Sequence, residues 1–183
     1  MKKHISHYFF ITLFSLSLLA AGTVTGRIVG VTDGDTVKIL SADKQEVKVR
    51  LYGIDAPEKA QDFGQVAKKK TSEIAFGKEA SVEIIDTDRY GREVGIVRIG
   101  EGGSVNEQLV AAGLAWRYPQ YCKIEPLCAT LGKLEQEART AKRGLWADPA
   151  PAAPWQWRKD QKNKQESRLK TLEKSRQDHH STR

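Results

Sequence analysis

The stretch VTDGDTVKIL, residues 31–40, contains the end of one predicted strand, a tight turn and the start of the next strand. Gly34 marks the turn, and the β-branched residues around it are typical of strands. TVTGRIVGV lies upstream, and EVKVRLYGI follows downstream after the polar turn SADKQE. These segments predict a meander of antiparallel strands, with Asp33 and Asp35 at the lip of the second strand.

Two further strands and three helices are predicted around this meander. ASVEIID and GREVGIVRI are the additional strands, and DFGQVAKKKTSEIAF has apolar residues at helical spacing. Ser104 and Glu107 form a capping box at the start of VNEQLVAAG, and a third helix runs through LGKLEQEARTAKRG. Five strands with a helix after the third are typical of the five-stranded Greek-key barrel of OB type. The predicted fold is therefore mainly β with three α-helices.

The N-terminus has the layout of a secretory signal peptide over residues 1–22. Lys2 and Lys3 precede the apolar run YFFITLFSLSLLAA, which ends in small residues and is too short for a comfortable membrane span. An uncleaved N-terminal anchor is the alternative. Both interpretations place the rest of the chain in an oxidising compartment. We expect an exported protein, periplasmic or secreted, with no membrane span after signal cleavage.

Residues 149–183 differ in composition from the domain before them. DPAPAAPWQWRKD interrupts regular structure and a polar, charge-dense run follows, so we expect a Pro- and Trp-containing linker and a basic tail that is disordered or partly helical. From Pro151 onward the chain carries nine Lys/Arg and four Asp/Glu residues, whereas residues 22–150 have no net charge. Nucleic-acid binding by counterion release and simple solvation both remain open for this tail.

The chain has two cysteines, Cys122 and Cys128, in the short segment YCKIEPLCAT. In an exported chain, an even count at this spacing predicts a disulfide that closes a small loop. Two free thiols are the alternative. A metal site is not expected, because no histidine or second cysteine pair lies nearby in the sequence.

Charged residues lie at the start of the second predicted strand and at the end of the third, which a hairpin connects. Asp33 and Asp35 precede the second strand, while RLYGIDAPE places Arg50, Asp55 and Glu58 at the end of the third. A short hairpin brings the start of one strand beside the end of the next. We therefore expect Asp35 and Asp55 to meet at one rim of the sheet, with the other charges close by.

This group of charges has the chemistry of phosphodiester hydrolysis. Carboxylates and backbone carbonyls suit a hard divalent cation such as Ca²⁺, and Arg92 of DRYGREVG adds a second guanidinium. Such groups neutralise charge on phosphate oxygens while a carboxylate activates water. Each segment also has a plainer interpretation: DGD as a turn, DAPE as a helix start, and DRYGR as a hairpin tip with solvated arginines.

Five segments taken together resemble the staphylococcal nuclease, or thermonuclease, family. DGDTVKI, VRLYGIDAPE, DRYGR, VNEQLVAAGLA and EARTAKRGLW occur in the family's order between residues 25 and 146. The cysteine pair and PWQWRK look like its exported Gram-negative branch. The resemblance implies an SNase-like OB-fold nuclease domain over residues 23–148. It also implies Ca²⁺-dependent cleavage of DNA and RNA, in which water attacks phosphorus and a 5′-hydroxyl leaves.

The resemblance also implies a set of metal ligands. Asp35 and Asp55 match the family's calcium carboxylates, with the backbone carbonyl of Ala56 as a further ligand. Asp33 matches an acidic residue that helps hold the metal's waters. Ala56 stands where the family's type member has threonine, so a hydroxyl group is missing here.

Catalytic and substrate-binding roles are implied in the same way. Arg50 and Arg92 match the family's phosphate-binding arginines, and Glu58 matches the residue usually assigned as general base. Four further residues are expected to contact the nucleotide. They are Arg89, Tyr90, Tyr118 and Tyr121, and for the last two a packing role is the alternative.

We therefore predict a monomeric Ca²⁺-dependent phosphodiesterase that cuts DNA and RNA internally. It leaves 3′-phosphate and 5′-hydroxyl ends and has no stable protein partner. The alternative is a non-catalytic OB-fold module that binds nucleic acid, since such barrels often hold single strands without chemistry. The complete set of charged residues favours the enzyme. A third interpretation, an anchored scaffold acting through its basic tail, has no supporting motif in the tail.

Overall fold

A computed structural model of the chain describes residues 22–181, so the predicted signal peptide lies outside the described residues except for Gly22. The strands are β1 Thr23–Asp33, β2 Thr36–Ser41, β3 Glu46–Leu51, β4 Ile54–Asp55, β5 Glu79–Thr87, β6 Glu93–Arg98 and β7 Trp116–Arg117. The helices are α1 Gly64–Ala75, α2 Val105–Ala111, α3 Leu127–Thr140 and α4 Pro154–Ser181, with a 3₁₀ turn at Gly144–Ala147. Over the described part of the chain, no helix combines the length and apolar character that crossing a membrane requires.

Five strands close into a barrel in the order β1-β2-β3-β6-β5, with β5 pairing back to β1. β3 and β6 pair in parallel, and the other neighbouring strands are antiparallel. β1 pairs with β2 along one edge and with β5 along the other. Register shifts after Ile28 and Val31 bend the strand. The structure confirms the predicted five-stranded OB-type barrel with helices.

Aliphatic side chains fill the interior of the barrel, since alternate residues of a strand point to the same face. The aliphatic strand residues with no exposed surface are Ile28, Val37, Ile39, Val49, Val82 and Val97. Leu109 of α2 and Leu131 of α3 extend this core beyond the barrel. A smaller cluster of Ala138, Leu145 and Trp146 packs beside it.

Asn106 joins α2 to the barrel from a fully buried position. Its Oδ1 accepts a hydrogen bond from the Val97 N–H at 3.1 Å, and its Nδ2 donates to the Tyr52 carbonyl at 2.9 Å. We expect Asn106→Ala to lower the free energy of unfolding by about 2–3 kcal/mol, because buried backbone groups lose their partner. Urea unfolding measures the loss.

Asn163 on the exposed surface of α4 provides the matched control. Asn163→Ala should change the free energy of unfolding by less than about 0.5 kcal/mol. Equal stability of the two variants would contradict the structural role of Asn106.

α3 begins and ends earlier than the predicted segment, which ran from Leu131 to Gly144. The helix starts at Leu127, because Leu127 and Leu131 are buried together one turn apart. Lys142, with a positive φ of 51°, ends it before Gly144. The Cα atoms of Cys122 and Cys128 lie 5.6 Å apart and their sulfur atoms are at bonding distance, as the predicted disulfide requires.

The C-terminal segment forms a fourth helix beyond the three that the sequence predicts. The expectation for residues 149–183 was a linker followed by a disordered or partly helical tail, and the structure has one continuous helix from Pro154 to Ser181. Pro154 is buried and Trp155 half-buried against the rest of the chain, while Leu169 and Leu172 are exposed. Packing of the first turn offsets the cost of starting the helix, and the Lys, Gln, Glu and Arg residues that follow extend it readily.

Candidate active site

The turn between β1 and β2 brings the two predicted acidic segments together. Thr36 pairs with Arg50, and the N–H of Leu51 donates a hydrogen bond to the Asp35 carbonyl at 2.8 Å. β4, which contains Asp55, follows β3 after a short turn and pairs with β7. Asp35 and Asp55 therefore meet at one rim of the barrel, as the hairpin argument predicted.

Arg50 links the two buried aspartates. Asp35 is 4% exposed and Asp55 is 0% exposed. Nη2 of Arg50 lies 2.7 Å from Asp55 Oδ1 and 3.4 Å from Asp35 Oδ2. Asp35 also accepts hydrogen bonds from the Thr36 hydroxyl at 3.1 Å and from the Ala56 N–H at 3.0 Å. These partners are necessary, because an unpaired buried charge is costly.

Gly34 is required at this turn because α1 lies directly against it. A Cβ atom at position 34 would come within 2.7 Å of Ala56 Cβ and 2.8 Å of Ala67 Cβ. The Gly34 carbonyl also accepts a hydrogen bond from the buried Thr71 hydroxyl at 2.6 Å. This packing fixes the aspartates on either side of the turn.

Burial and neighbouring charges both shift the pKa values of the rim residues. Burial, followed by the neighbouring charge of Asp35, raises the pKa of Asp33 to about 6. Burial also raises the pKa of Asp55, although a hydrogen bond from Arg158 and the charge of Arg50 oppose the shift. Burial alone would lower the pKa of Arg50, but the charges of Asp35 and Asp55 outweigh it and raise the pKa. The rim thus concentrates carboxylates that a cation would stabilise.

Glu58 lies between β4 and α1 at the edge of the same rim. Its backbone N–H donates to Gln61 Oε1 at 3.2 Å, and its half-exposed carboxylate pairs with Arg158 at 2.6 Å. Arg158 comes from α4 and also binds Asp55. Sequence reasoning did not identify Arg158 as a site residue. The only available signal was its position directly after the aromatic segment PWQW.

The hairpin between β5 and β6 contributes Arg92. Gly91, with a φ of 73°, forms the tip of this hairpin. Asp88 accepts hydrogen bonds from the N–H groups of Tyr90 and Arg92 at 2.9 and 3.0 Å, and binds the Arg92 guanidinium at 2.7 Å. Slight burial acts to raise the pKa of Asp88, but these bonds outweigh it and lower the pKa. Asp88 therefore orients Arg92, a role that the sequence analysis missed.

Arg89 and Tyr90 form an exposed pair at the same hairpin tip. The Arg89 guanidinium donates to the Tyr90 hydroxyl at 2.6 Å and lies 4.8 Å from the ring centroid. Arg92 lies 5.8 Å from the same centroid, and Tyr90 is 69% exposed. An exposed ring beside two guanidinium groups is suited to contact with a base or a phosphate.

The two predicted stacking tyrosines differ in their surroundings. Tyr118 lies in a parallel stack with Trp155, with ring centroids 5.0 Å apart and an interplanar angle of 2°. Tyr121 is 58% exposed, and its ring centroid lies 4.8 Å from that of Tyr118. Trp155 therefore covers one face of Tyr118, whereas the ring of Tyr121 is accessible to a ligand.

A single groove of about 940 Å³ connects these side chains. The predicted residues that line it are Asp33, Asp35, Arg50, Ala56, Glu58, Arg89, Tyr90, Arg92, Tyr118 and Tyr121, and Arg158 lines it as well. Asp55 is fully buried and pairs with Arg50 and Arg158 at the edge of the groove. Within residues 22–181, no three acidic, His or Cys side chains converge closely enough to enclose a metal ion by themselves.

A five-stranded barrel with paired aspartates, arginines and a glutamate at one rim defines an OB-type protein with a charged groove. The chain belongs to the staphylococcal nuclease homologue family, whose model matches residues 48–148. This confirms the family that the sequence motifs predicted.

Individual relatives extend the similarity over most of the chain. An "uncharacterized endonuclease" of Escherichia coli O157:H7 is 43% identical over 158 residues, which cover 86% of this chain and 98% of the relative. A micrococcal nuclease of Shigella flexneri is 38% identical over 156 residues, which cover 81% and 88% of the two chains. Protein ParB of Escherichia coli is 39% identical over 149 residues, which cover 77% and 82%.

Proposed function

We propose that the protein is a Ca²⁺-dependent nuclease that hydrolyses phosphodiester bonds of DNA and RNA. It cuts internally and leaves 3′-phosphate and 5′-hydroxyl ends. The observation that carries the proposal is the convergence of Arg50, Glu58 and Arg92 on one groove beside two buried aspartates. The names of the relatives, an endonuclease and a micrococcal nuclease, support hydrolysis of nucleic acid.

The acidic rim fits a hard divalent cation in its chemistry. Asp35 and Asp55 offer carboxylate oxygens, the ligands that Ca²⁺ prefers. Burial, followed by the neighbouring charge of Asp35, raises the pKa of Asp33 beside them to about 6. Asp35, Asp55 and the Ala56 carbonyl would hold the ion. Water would complete its coordination, since the described acidic side chains do not enclose an ion alone. Ca²⁺, when bound, supplies positive charge to the phosphate and polarises water.

The protein's own side chains account for the remaining chemistry. The guanidinium groups of Arg50 and Arg92 bind phosphate oxygens and stabilise the charge that develops on them in the transition state. Glu58 orients the attacking water and accepts its proton. As the new O–P bond forms, the bond from phosphorus to the 5′-oxygen breaks, and that oxygen leaves with a proton from water.

The exposed aromatic and basic residues of the groove extend this site toward the nucleotide. Tyr121 is the better stacking residue of the predicted pair, because Trp155 covers one face of Tyr118. Arg89 and Tyr90 contact the neighbouring phosphate from the β5–β6 hairpin. These assignments make the groove a binding surface for a single strand.

Digestion of a supercoiled plasmid by the purified mature protein tests the proposal. We expect nicked and linear DNA with Ca²⁺ and intact plasmid with excess chelator. Glu58→Gln should lower the rate at least about 100-fold, because an amide cannot accept the proton. Nicked circles require internal cleavage, and end-labelling of the products identifies the 5′-hydroxyl. Glu101→Gln, at an exposed loop position, should cut at the wild-type rate.

A non-catalytic nucleic-acid-binding module is the second candidate, favoured by the exposed rings of Tyr90 and Tyr121. Retardation of the plasmid in a gel, with no cleavage in any divalent cation, would support that module. The same result would overturn the nuclease proposal.

We also propose that the protein is exported, periplasmic or secreted, and that it acts as a monomer without a stable protein partner. The apolar N-terminal run and the Cys122–Cys128 pair support export, because disulfides persist in oxidising compartments.

A further inference from the structure

Arg158 lies across the groove between two residues of the proposed active site. Its Nη1 is 2.6 Å from Glu58 Oε1, its Nη2 is 2.7 Å from Asp55 Oδ2, and Nη1 is 3.3 Å from Asp55 Oδ1. One planar guanidinium thus bridges two carboxylates through charge-assisted hydrogen bonds. No local sequence relationship connects these residues, since about a hundred positions separate Arg158 from Glu58.

The segment that carries Arg158 is fixed to the barrel by contacts of its own. Trp155 stacks in parallel on Tyr118, and the Ala152 carbonyl accepts a hydrogen bond from Gln61 Nε2 at 2.6 Å. Oε1 of Gln61 also accepts a hydrogen bond from the backbone N–H of Glu58. One side chain therefore joins the Glu58 loop to the C-terminal segment. The backbone before Arg158 is therefore held in place independently of the ion pairs.

Glu58 depends on this arginine for its position. Among the described residues, Arg158 is the only hydrogen-bond or ion-pair partner of the Glu58 carboxylate. An exposed ion pair usually contributes little to stability. This pair differs, because the same guanidinium is anchored on the fully buried Asp55. Without Arg158, the half-exposed carboxylate of Glu58 would sample other rotamers.

We infer that Arg158 is a positioning residue of the active site, which holds the Glu58 carboxylate where it meets the attacking water. Arg158 then forms part of the wall of the site from outside residues 48–148, which match the family model. The inference rests on the proposed function of Glu58. It assigns the start of the C-terminal helix a supporting part in cleavage, through the position of Glu58, rather than a role as a solvated tail.

Steady-state cleavage of a short oligonucleotide by the full chain, at varied substrate concentration, tests this role. Arg158→Ala should lower kcat about 30-fold with KM changed less than about threefold, because misplacing a catalytic group by about 1 Å costs up to about 100-fold. Arg158→Lys should recover part of kcat, since an ammonium group can hold Glu58 but cannot bridge both carboxylates. Arg168→Ala removes the same charge from an exposed position of α4 and should leave kcat unchanged.

A double-mutant cycle with Glu58→Gln separates positioning from an independent contribution. In the Glu58→Gln background, Arg158→Ala should change kcat less than about threefold, because the group that Arg158 holds no longer accepts a proton. Reductions that multiply would overturn the inference. A change in KM without a change in kcat for Arg158→Ala would also overturn it.

The same proteins separate failure of this inference from failure of the proposed function. If the wild-type protein cuts no nucleic acid, the proposed function fails. Thermal unfolding of the four proteins in the double-mutant cycle still tests the ion pair between Arg158 and Glu58. Loss of Arg158 should lower the midpoint less in the Glu58→Gln protein than in the wild type. Equal shifts in both backgrounds would show that Arg158 does not hold Glu58.

Discussion

Arg92→Ala should lower the rate constant of phosphodiester cleavage about a thousandfold while leaving the free energy of unfolding within about 0.5 kcal/mol of the wild-type value. Arg92 sits at a hairpin tip, and Asp88 holds its guanidinium at 2.7 Å. Its removal therefore deletes one charge-assisted donor to the phosphate without opening the core. Single-turnover cleavage of an oligonucleotide and urea unfolding measure the two effects.

Arg98→Ala is the control for this variant. Arg98 is an exposed arginine at the end of β6, and it lines a different surface of the barrel from Arg92. Its replacement should leave both the rate and the stability unchanged. A comparable loss of rate in the two variants would mean that Arg92 acts only through the overall charge of the protein.

Arg50→Ala should also reduce cleavage about a thousandfold, and it should in addition destabilise the fold by about 3 kcal/mol. The difference arises because Arg50 pairs with Asp35 and Asp55, which are both buried. Removing the guanidinium leaves their charges with fewer partners in a site of low solvent access. Cleavage assays together with urea unfolding resolve the two losses.

Arg50→Lys distinguishes the catalytic part of this effect from the structural part. An ammonium group keeps the positive charge beside the aspartates, so most of the stability should return. Cleavage should stay at least about tenfold below the wild-type rate, because lysine lacks the planar fork that binds two oxygens. Full recovery of the rate would show that charge alone is sufficient at this position.

The rim of the site was predictable because a short hairpin has few geometric solutions. The polar turn after Ser41 fixes the register of β2 and β3, and this register pairs Thr36 with Arg50. With that register set, Asp35 and Asp55 have to lie near each other. The alternating β-branched residues of these strands made the barrel predictable as well.

Long-range contacts of the C-terminal segment could not be predicted in this way. Arg158 and Trp155 reach the groove through tertiary packing on Tyr118 and Gln61, and no spacing rule relates positions so far apart. Composition favoured a disordered or partly helical tail, because the segment is polar and rich in charge. Docking of its first turn outweighed that tendency, an effect visible only in three dimensions.

The closed barrel also constrains how the chain reaches its native state. Thr23 of β1 pairs with Glu83 of β5, and Arg50 of β3 pairs with Val94 of β6. Neither seam can form until distant segments of the chain meet, so the entropy lost in closing these loops is offset only late in folding. We therefore expect cooperative folding on the millisecond-to-second scale that is typical of barrels built from non-local pairs. A nascent chain that ends before β6 has no closed sheet in which to shelter its apolar strands.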